Sequence, residues 1–192
     1  QLRLTVALAE AFDQRAEQPI NLTQIYTAIA AFETSLISLN SRYDHYAHGY
    51  ADALNANELE GMNVFRSFVA RCAECHTPPL FSNQQIAVIG VPEAPGQPFD
   101  AGAESVFHNP TWRGGFKVPS LRNVGYTGPY MHSGGFMELR GVVNMYNVGM
   151  PRPQPKPGQA DDPLFPQPDP LLKVLDLHKT ELEAITEFLQ SL

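Results

Sequence analysis

The two cysteines of this 192-residue chain stand three positions apart and are followed at once by a histidine, as Cys72-Ala-Glu-Cys75-His76. Two thiols with this spacing can each add to one vinyl group of a haem and form two thioethers. The imidazole that follows can then bind the iron from one side. The motif is the attachment signature of a c-type haem. It predicts one covalent haem c on Cys72 and Cys75, with His76 as the proximal ligand.

The same residues suit three other kinds of site. A disulfide or a thioredoxin-like redox pair would leave His76 unexplained, and no βαβ pattern precedes the motif. A zinc site would need a fourth ligand from an isolated histidine, because the sequence holds no second CxxC and no HxxxH cluster. Haem is the favoured interpretation, and the other three remain alternatives.

Composition limits the classes of partner. The formal net charge is −7 and no polybasic stretch occurs, so we expect neither nucleic acid nor an anionic membrane surface as a partner. No apolar run approaches the roughly 18 residues of a membrane span. The 14 glycines and 17 prolines predict a loop-rich domain. Residues 151–170 hold eight of those prolines and are predicted to form an extended, helix-free wrap.

Four segments have the apolar period of an amphipathic helix. They are residues 22–38, 56–71, 138–146 and 181–192. The predicted N-caps are Asn21, Asn55 and Thr180, with Glu58 and Glu183 completing capping boxes in the second and fourth helices. Between these helices the chain shows little alternation of period two, so strands are not predicted.

The segment 56–71 is expected to lead directly into the first cysteine. Its predicted buried face consists of Leu59, Met62, Phe65 and Val69. The last helix is expected to bury Leu182, Ile185, Phe188, Leu189 and Leu192. The predicted fold class is mainly α: a cytochrome c-like helical haem domain with long irregular loops rich in proline and glycine.

Longer blocks around the haem motif resemble a known family. Residues 116–124 read FKVPSLRNV, and residues 127–135 read TGPYMHSGG. Together with residues 28–38 and 139–147, they resemble the C-terminal haem domain of bacterial dihaem cytochrome c peroxidases and MauG-like enzymes. The blocks occur in the expected order, and the resemblance covers roughly residues 20–150 and the final helix.

The resemblance implies an enzyme. In this family, peroxide is cleaved at a haem in an N-terminal domain, and the C-terminal haem relays electrons or stores oxidising equivalents. We therefore expect a periplasmic peroxide-dependent oxidoreductase that acts with a second haem domain or chain. Residues 1–54 would link to that domain and residues 55–192 would carry this haem. Expected partners are a small cytochrome c, a cupredoxin or a protein substrate, and a homodimer is also expected. The alternatives are a non-enzymatic monohaem electron-transfer protein and a zinc-stapled structural domain.

The resemblance also implies a second iron ligand on the helix near residue 146. The family places Met or Tyr at this position. Counting along the matching segment places Tyr146 there, with Met145 as the alternative. Adjacent residues of a helix diverge by about 100°, so only one of the two can face the iron. Met137 and Met150 are further candidates, because a thioether sulfur suits haem iron.

Further site residues follow from the same resemblance. The carbonyls of Thr127 and Pro129 are predicted to bind calcium, for which carbonyl oxygens are suitable ligands. His132 matches a family histidine near the region between the haems and is a candidate catalytic residue. Arg122 is predicted to pair with a haem propionate through its planar fork, with an inter-loop salt bridge as the alternative.

Overall fold

The computed structural model of the chain describes residues 21–149 and 168–192. Met150 and residues 151–167 of the predicted proline-rich wrap therefore lie outside the described residues. The chain divides into two compact units, with the boundary between Leu39 and Asn40. The sequence analysis placed residues 40–54 in the N-terminal segment, with a boundary at 54/55. In the structure these residues belong to the second unit. The functions assigned to the two segments stay predictions.

The first unit contains helix α1, Leu22–Ser35. Its predicted N-cap is confirmed, because the Asn21 side chain accepts from the Gln24 amide at 3.0 Å and the Gln24 side chain accepts from the Asn21 amide at 2.9 Å. The helix ends three residues before the predicted limit at residue 38. The hydroxyls of Thr34 and Ser35 donate to carbonyls of the preceding turn there, a contact that competes with helix continuation.

The second unit is mainly helical, as predicted. Its helices are α2 (Arg42–Ala47), α3 (Ala56–Arg66), α4 (Cys72–Cys75), α5 (Ala103–Phe107), α6 (Leu139–Asn147) and α7 (Lys179–Gln190). Strands β1 (Ile86–Val88) and β2 (Gly115–Lys117) form an antiparallel pair with Ala87 opposite Phe116. Strands of three residues are too short to show a period in the sequence. Among the described residues, no helix is long and apolar enough to cross a membrane.

Helix α3 starts as predicted and ends early. Asn55 and Glu58 form the expected capping box, with both hydrogen bonds at 2.9 Å. The helix stops at Arg66 rather than at residue 71, because Ser67 is extended and its hydroxyl accepts from the amide of residue 70 at 3.1 Å. The prediction that Val69 is buried is wrong: it lies in this turn and is 58% exposed. A turn, not a continuous helix, therefore leads into the first cysteine.

Helix α7 begins at Lys179, because the amide of His178 donates to the carboxylate of Glu181 at 2.7 Å. The predicted capping box of Thr180 and Glu183 is wrong, since the Glu183 carboxylate accepts from an arginine of α6 at 3.2 Å. The predicted apolar face is confirmed. Its buried members are Leu182, Ile185, Phe188, Leu189 and Leu192.

The core of the second unit is the contact between α3 and α7. Met62 and Phe65 of α3 are buried in the same apolar cluster as Ile185 and Phe188 of α7. Gly61 lies where the two helices approach most closely, and a Cβ added there would overlap the backbone carbonyl of Ala184. The absence of a side chain at this position allows the two backbones to touch.

We expect Gly61→Ala to lower the free energy of unfolding by about 1–3 kcal/mol or more, because the added methyl group forces α3 and α7 apart. Urea unfolding measures this loss. Asn63→Ala is the matched control, since Asn63 is exposed on the same helix and should tolerate alanine. Equal stability of the two variants would contradict the close contact.

Candidate haem-binding site

The two cysteines of the motif lie on one helical turn, α4, and the histidine follows directly after it. Arg71, with φ of +53°, reverses the chain ahead of this turn. Its guanidinium pairs with Glu74 at 2.5 and 2.9 Å, and the amide of His76 donates to the carbonyl of Cys72 at 2.9 Å. Residues three apart on a helical turn share a face, so the turn presents the two thiols together and the imidazole directly after them.

Both cysteines are free thiols, without a disulfide between them. Burial raises the pKa of the Cys72 thiol to about 12, and burial also raises the pKa of Cys75. Both thiols are therefore neutral at physiological pH in the absence of a metal. A thioether, which carries no charge, fits such surroundings.

The zinc interpretation lacks ligands. In the two stretches that the structure describes, no group of three or more His, Cys, Asp or Glu side chains is placed to hold a metal ion. The structure therefore supplies no fourth zinc ligand beside the motif.

His76 is prepared to bind iron through one defined nitrogen. Its Nδ1 lies 3.0 Å from the carbonyl oxygen of Phe81. A carbonyl only accepts, so Nδ1 carries the proton and the lone pair of the neutral ring is on Nε2. Burial lowers the pKa of His76, and hydrogen bonding to the carbonyls of Phe81 and Pro119 opposes this effect only in part. The residues of the motif thus fit a covalently attached haem with an imidazole ligand.

Tyr146 lies on the same side of helix α6 as Leu139 and Val143. Leu139, Val143 and Tyr146 fall on one side of α6 at helical spacing, and Leu139 and Val143 pack in the cluster that Cys72 contacts. Burial raises the pKa of the Tyr146 phenol, and Cys72 and Cys75 raise it further. The phenol is thus within electrostatic reach of both cysteines.

The methionine candidates lie elsewhere. Met145 is 6% exposed and packs with Val91 in a separate apolar cluster, which also contacts part of the Tyr146 side chain. Met137 is 76% exposed. The structure therefore favours the assignment of the second iron ligand to Tyr146, and that assignment stays a prediction.

His132 lies in a different part of the unit. Its Nε2 donates to the carboxylate of Glu93 at 3.1 Å, and its ring stacks on Phe116 with the ring centroids 4.2 Å apart. The pair borders a cavity of about 480 Å³. The neighbouring hydroxyl of Ser133 is buried and has no hydrogen-bond partner within the described part of the chain. A catalytic role for His132 stays a prediction.

Thr127 and Pro129 lie on an exposed turn that follows the 3₁₀ turn Val124–Tyr126. The hydroxyl of Tyr130 donates to the carbonyl of Val124 at 2.9 Å and fixes the start of this turn. The predicted calcium site at the two carbonyls is not tested by these contacts and stays a prediction.

Arg122 forms the inter-loop ion pair that the sequence analysis gave as the alternative. Its Nη1 and Nη2 donate to the two carboxylate oxygens of Asp44 at 2.7 and 2.8 Å, and its Nε donates to the carbonyl of Pro79 at 2.8 Å. The two side chains are only 7% and 9% exposed. This geometry favours the ion pair, and the pairing of Arg122 with a haem propionate stays a prediction.

Sequence reasoning missed Asp44, although a local signal was present. Ser41 and Asp44 have the spacing of a capping box, and the structure confirms that box at the start of α2. The partner of Asp44 lies 78 residues away, and no local pattern could identify it.

Asp44→Asn tests this ion pair through the dependence of stability on pH. Burial alone would raise the pKa of Asp44, but hydrogen bonds from Arg122 and Ser41 outweigh it and lower that pKa. The stabilisation from Asp44 is thus present above the ordinary aspartate pKa of about 3.9 and is lost as the pH falls through the lowered pKa of the folded state. At neutral pH the free energy of unfolding of the variant should be lower by about 3–5 kcal/mol, because Arg122 remains as a buried unpaired charge.

Urea unfolding from pH 7 down into the acid range, about pH 2, measures this effect. Asp52→Asn is the control, since Asp52 is exposed and should leave the profile unchanged. A profile of Asp44→Asn that matches the unmodified protein would refute the contribution of the pair.

Comparison with known proteins identifies the family. A family model described as di-haem cytochrome c peroxidase matches residues 1–52. Cytochrome c551 peroxidase of Nitrosomonas europaea is 38% identical over 126 residues, which cover 65% of this chain and 37% of that protein. Cytochrome-c peroxidase IdrP1 of Denitromonas iodatirespirans is 32% identical over 200 residues, which cover 89% of this chain and 50% of that protein.

A solved structure with the same fold is a MauG-like protein associated with microbial copper homeostasis. It superposes with a TM-score of 0.74 and 27% identity, over 95% of this chain and 56% of that one. This similarity confirms the cytochrome c-like helical fold. The chain spans half or less of the length of each of the two relatives named above. The motif, the fold and these relatives together show that the chain belongs to the dihaem cytochrome c peroxidase/MauG-like family.

Proposed function

We propose that this chain is the relay-haem domain of a peroxide-dependent oxidoreductase that works with a second haem domain. The observation that carries the proposal is the hydrogen bond from Nδ1 of His76 to the carbonyl of Phe81, beside two neutral thiols on one turn. In the described residues no group of three or more His, Cys, Asp or Glu side chains is placed to hold zinc, and a disulfide does not need an imidazole whose free lone pair is assigned in this way. A haem iron does.

Each residue of the motif has one task toward the haem. Cys72 and Cys75 would form the two thioether bonds, and His76 would offer Nε2 to the iron. The carbonyl of Phe81 holds the proton on Nδ1 of the half-buried imidazole. When bound, the haem supplies reversible one-electron exchange.

Tyr146 is proposed as the residue that would supply the second iron ligand. A tyrosine oxygen stabilises ferric and more oxidised iron, whereas a methionine sulfur raises the reduction potential. With Tyr146 the domain is suited to hold oxidising equivalents. This property favours the oxidation of a protein or another reducing substrate over simple electron entry from a small cytochrome.

The rest of the assembly is inferred from the family. The relatives named as cytochrome c peroxidases favour an enzyme over a monohaem carrier. The peroxide-binding haem would lie in the second domain, and calcium at Thr127 and Pro129 would bind between the two. A small cytochrome c, a cupredoxin or a protein substrate would exchange electrons with this haem. The proposed covalent attachment of haem c and the bacterial relatives support a periplasmic location. We also propose that the protein forms a homodimer.

Tyr146→Phe tests the second iron ligand. The variant keeps the ring and removes the phenol oxygen, so we expect the ferric absorption spectrum to change. Met145→Leu is the matched control one residue away, and its ferric spectrum should match that of the unmodified protein. Loss of a near-infrared sulfur-to-iron charge-transfer band in Met145→Leu would transfer the assignment to the methionine.

A count of covalent haems tests the enzyme proposal. Haemochrome absorbance against protein mass should give two haems per intact assembly, of which the Cys72→Ser/Cys75→Ser variant lacks one. Met145→Leu should retain both. A count of one haem in the unmodified assembly would make the protein an electron carrier and would contradict the proposal.

A further inference from the structure

The carbonyl that accepts from His76 belongs to the loop of residues 79–81, and the segment 120–122 or the histidine itself donates to each of the three carbonyls of this loop. The Pro79 carbonyl accepts from Nε of Arg122 at 2.8 Å, and the Leu80 carbonyl accepts from the hydroxyl of Ser120 at 2.6 Å. The next carbonyl, that of Phe81, accepts from His76 at 3.0 Å. Phe81 has φ of +52°, a conformation that a phenylalanine adopts only when its surroundings impose it. The segment 120–122 therefore supplies two of the three donors to this loop.

Arg122 also contacts the side chain of Phe81. The guanidinium carbon lies 5.3 Å from the centroid of the Phe81 ring and 5.8 Å from that of Tyr43. Tyr43 and Phe81 pack edge to face at 4.9 Å, and Phe81 is 1% exposed. One guanidinium thus contacts both the backbone and the ring packing of the loop that faces His76.

Asp44 in turn fixes Arg122. It binds both terminal nitrogens of the guanidinium, and one of its oxygens also accepts from the amide and the hydroxyl of Ser41, each at 2.8 Å. Because the carboxylate is itself immobilised, the planar fork has one orientation. Nε is consequently aimed at the Pro79 carbonyl.

We propose that Arg122, oriented by Asp44, is a positioning residue that holds the Phe81 carbonyl on Nδ1 of His76 and thereby sets the donor strength of His76 toward the haem iron. The inference rests on the proposed function, since it concerns the haem that His76 would bind.

The expected direction follows from the hydrogen bond. A carbonyl that accepts from Nδ1–H makes the imidazole a stronger donor through Nε2. A stronger donor stabilises ferric iron and lowers the reduction potential. If the Phe81 carbonyl is held less firmly on Nδ1, the reduction potential of this haem should therefore shift to more positive values.

Arg122→Lys is the decisive variant, because it keeps the positive charge beside Asp44 but loses the planar fork and the Nε–H donor. In the full haem-loaded protein we expect a more positive midpoint potential and altered EPR g-values of the ferric haem. The haem in question is identified as the one that Cys72→Ser/Cys75→Ser removes. A change in stability alone would not move either readout.

Arg113→Lys is the matched control. Arg113 also pairs with a carboxylate, that of Glu104, at 2.8 Å, and lies over a phenylalanine ring at 5.0 Å. None of these contacts involves the loop that faces His76, so the potential should equal that of the unmodified protein. Ser120→Ala is a second, uncharged test, since it removes the donor to the Leu80 carbonyl at an exposed position. It should shift the potential in the same direction by a smaller amount.

The outcomes separate the two levels of the proposal. A positive shift in Arg122→Lys and Ser120→Ala, without one in Arg113→Lys, supports the positioning role. An unchanged potential in Arg122→Lys overturns it, and if that variant does not fold, an unchanged potential in Ser120→Ala overturns it. Absence of covalent haem from the unmodified protein would instead refute the proposed function.

Discussion

The hydrogen bond between Nδ1 of His76 and the carbonyl of Phe81 gives the motif its chemistry. Without it the imidazole could carry its proton on either nitrogen and rotate, and two neighbouring thiols would have no oriented partner. The bond requires the buried Phe81 to adopt an unfavourable backbone conformation, so the surrounding structure must hold this residue. The core packing, the Asp44–Arg122 pair and the segment 120–122 all contribute to holding it.

The helical core provides the rigid side of this arrangement. Helices α3 and α7 touch at Gly61 and Ala184, and Phe65 and Phe188 of these helices pack against Phe81. The ring that anchors the loop is thus part of the main apolar cluster. This ring packing therefore connects the contact between α3 and α7 with the residue whose carbonyl accepts from His76.

Local chemistry determined what the sequence could predict. The haem motif, the N-cap of α1, the capping box of α3 and the apolar face of α7 depend on residues within a few positions of one another, and all are present as expected. The end of α3 at Arg66 depends on a hydrogen bond that competes with helical order, and α7 starts two residues earlier than predicted, at Lys179, because a capping hydrogen bond forms at His178. The Asp44–Arg122 pair joins residues 78 apart, and its partners have no shared local pattern.

The separation between Asp44 and Arg122 has a consequence for the order in which the site is assembled. The thiols are arranged by a turn of a few residues, which closes at little cost in chain entropy, whereas the ion pair closes a loop of 78 residues. A chain segment can therefore present its cysteines for haem attachment before the distant ion pair has formed. With the proposed roles, attachment and electronic tuning of the haem would thus depend on different parts of the chain.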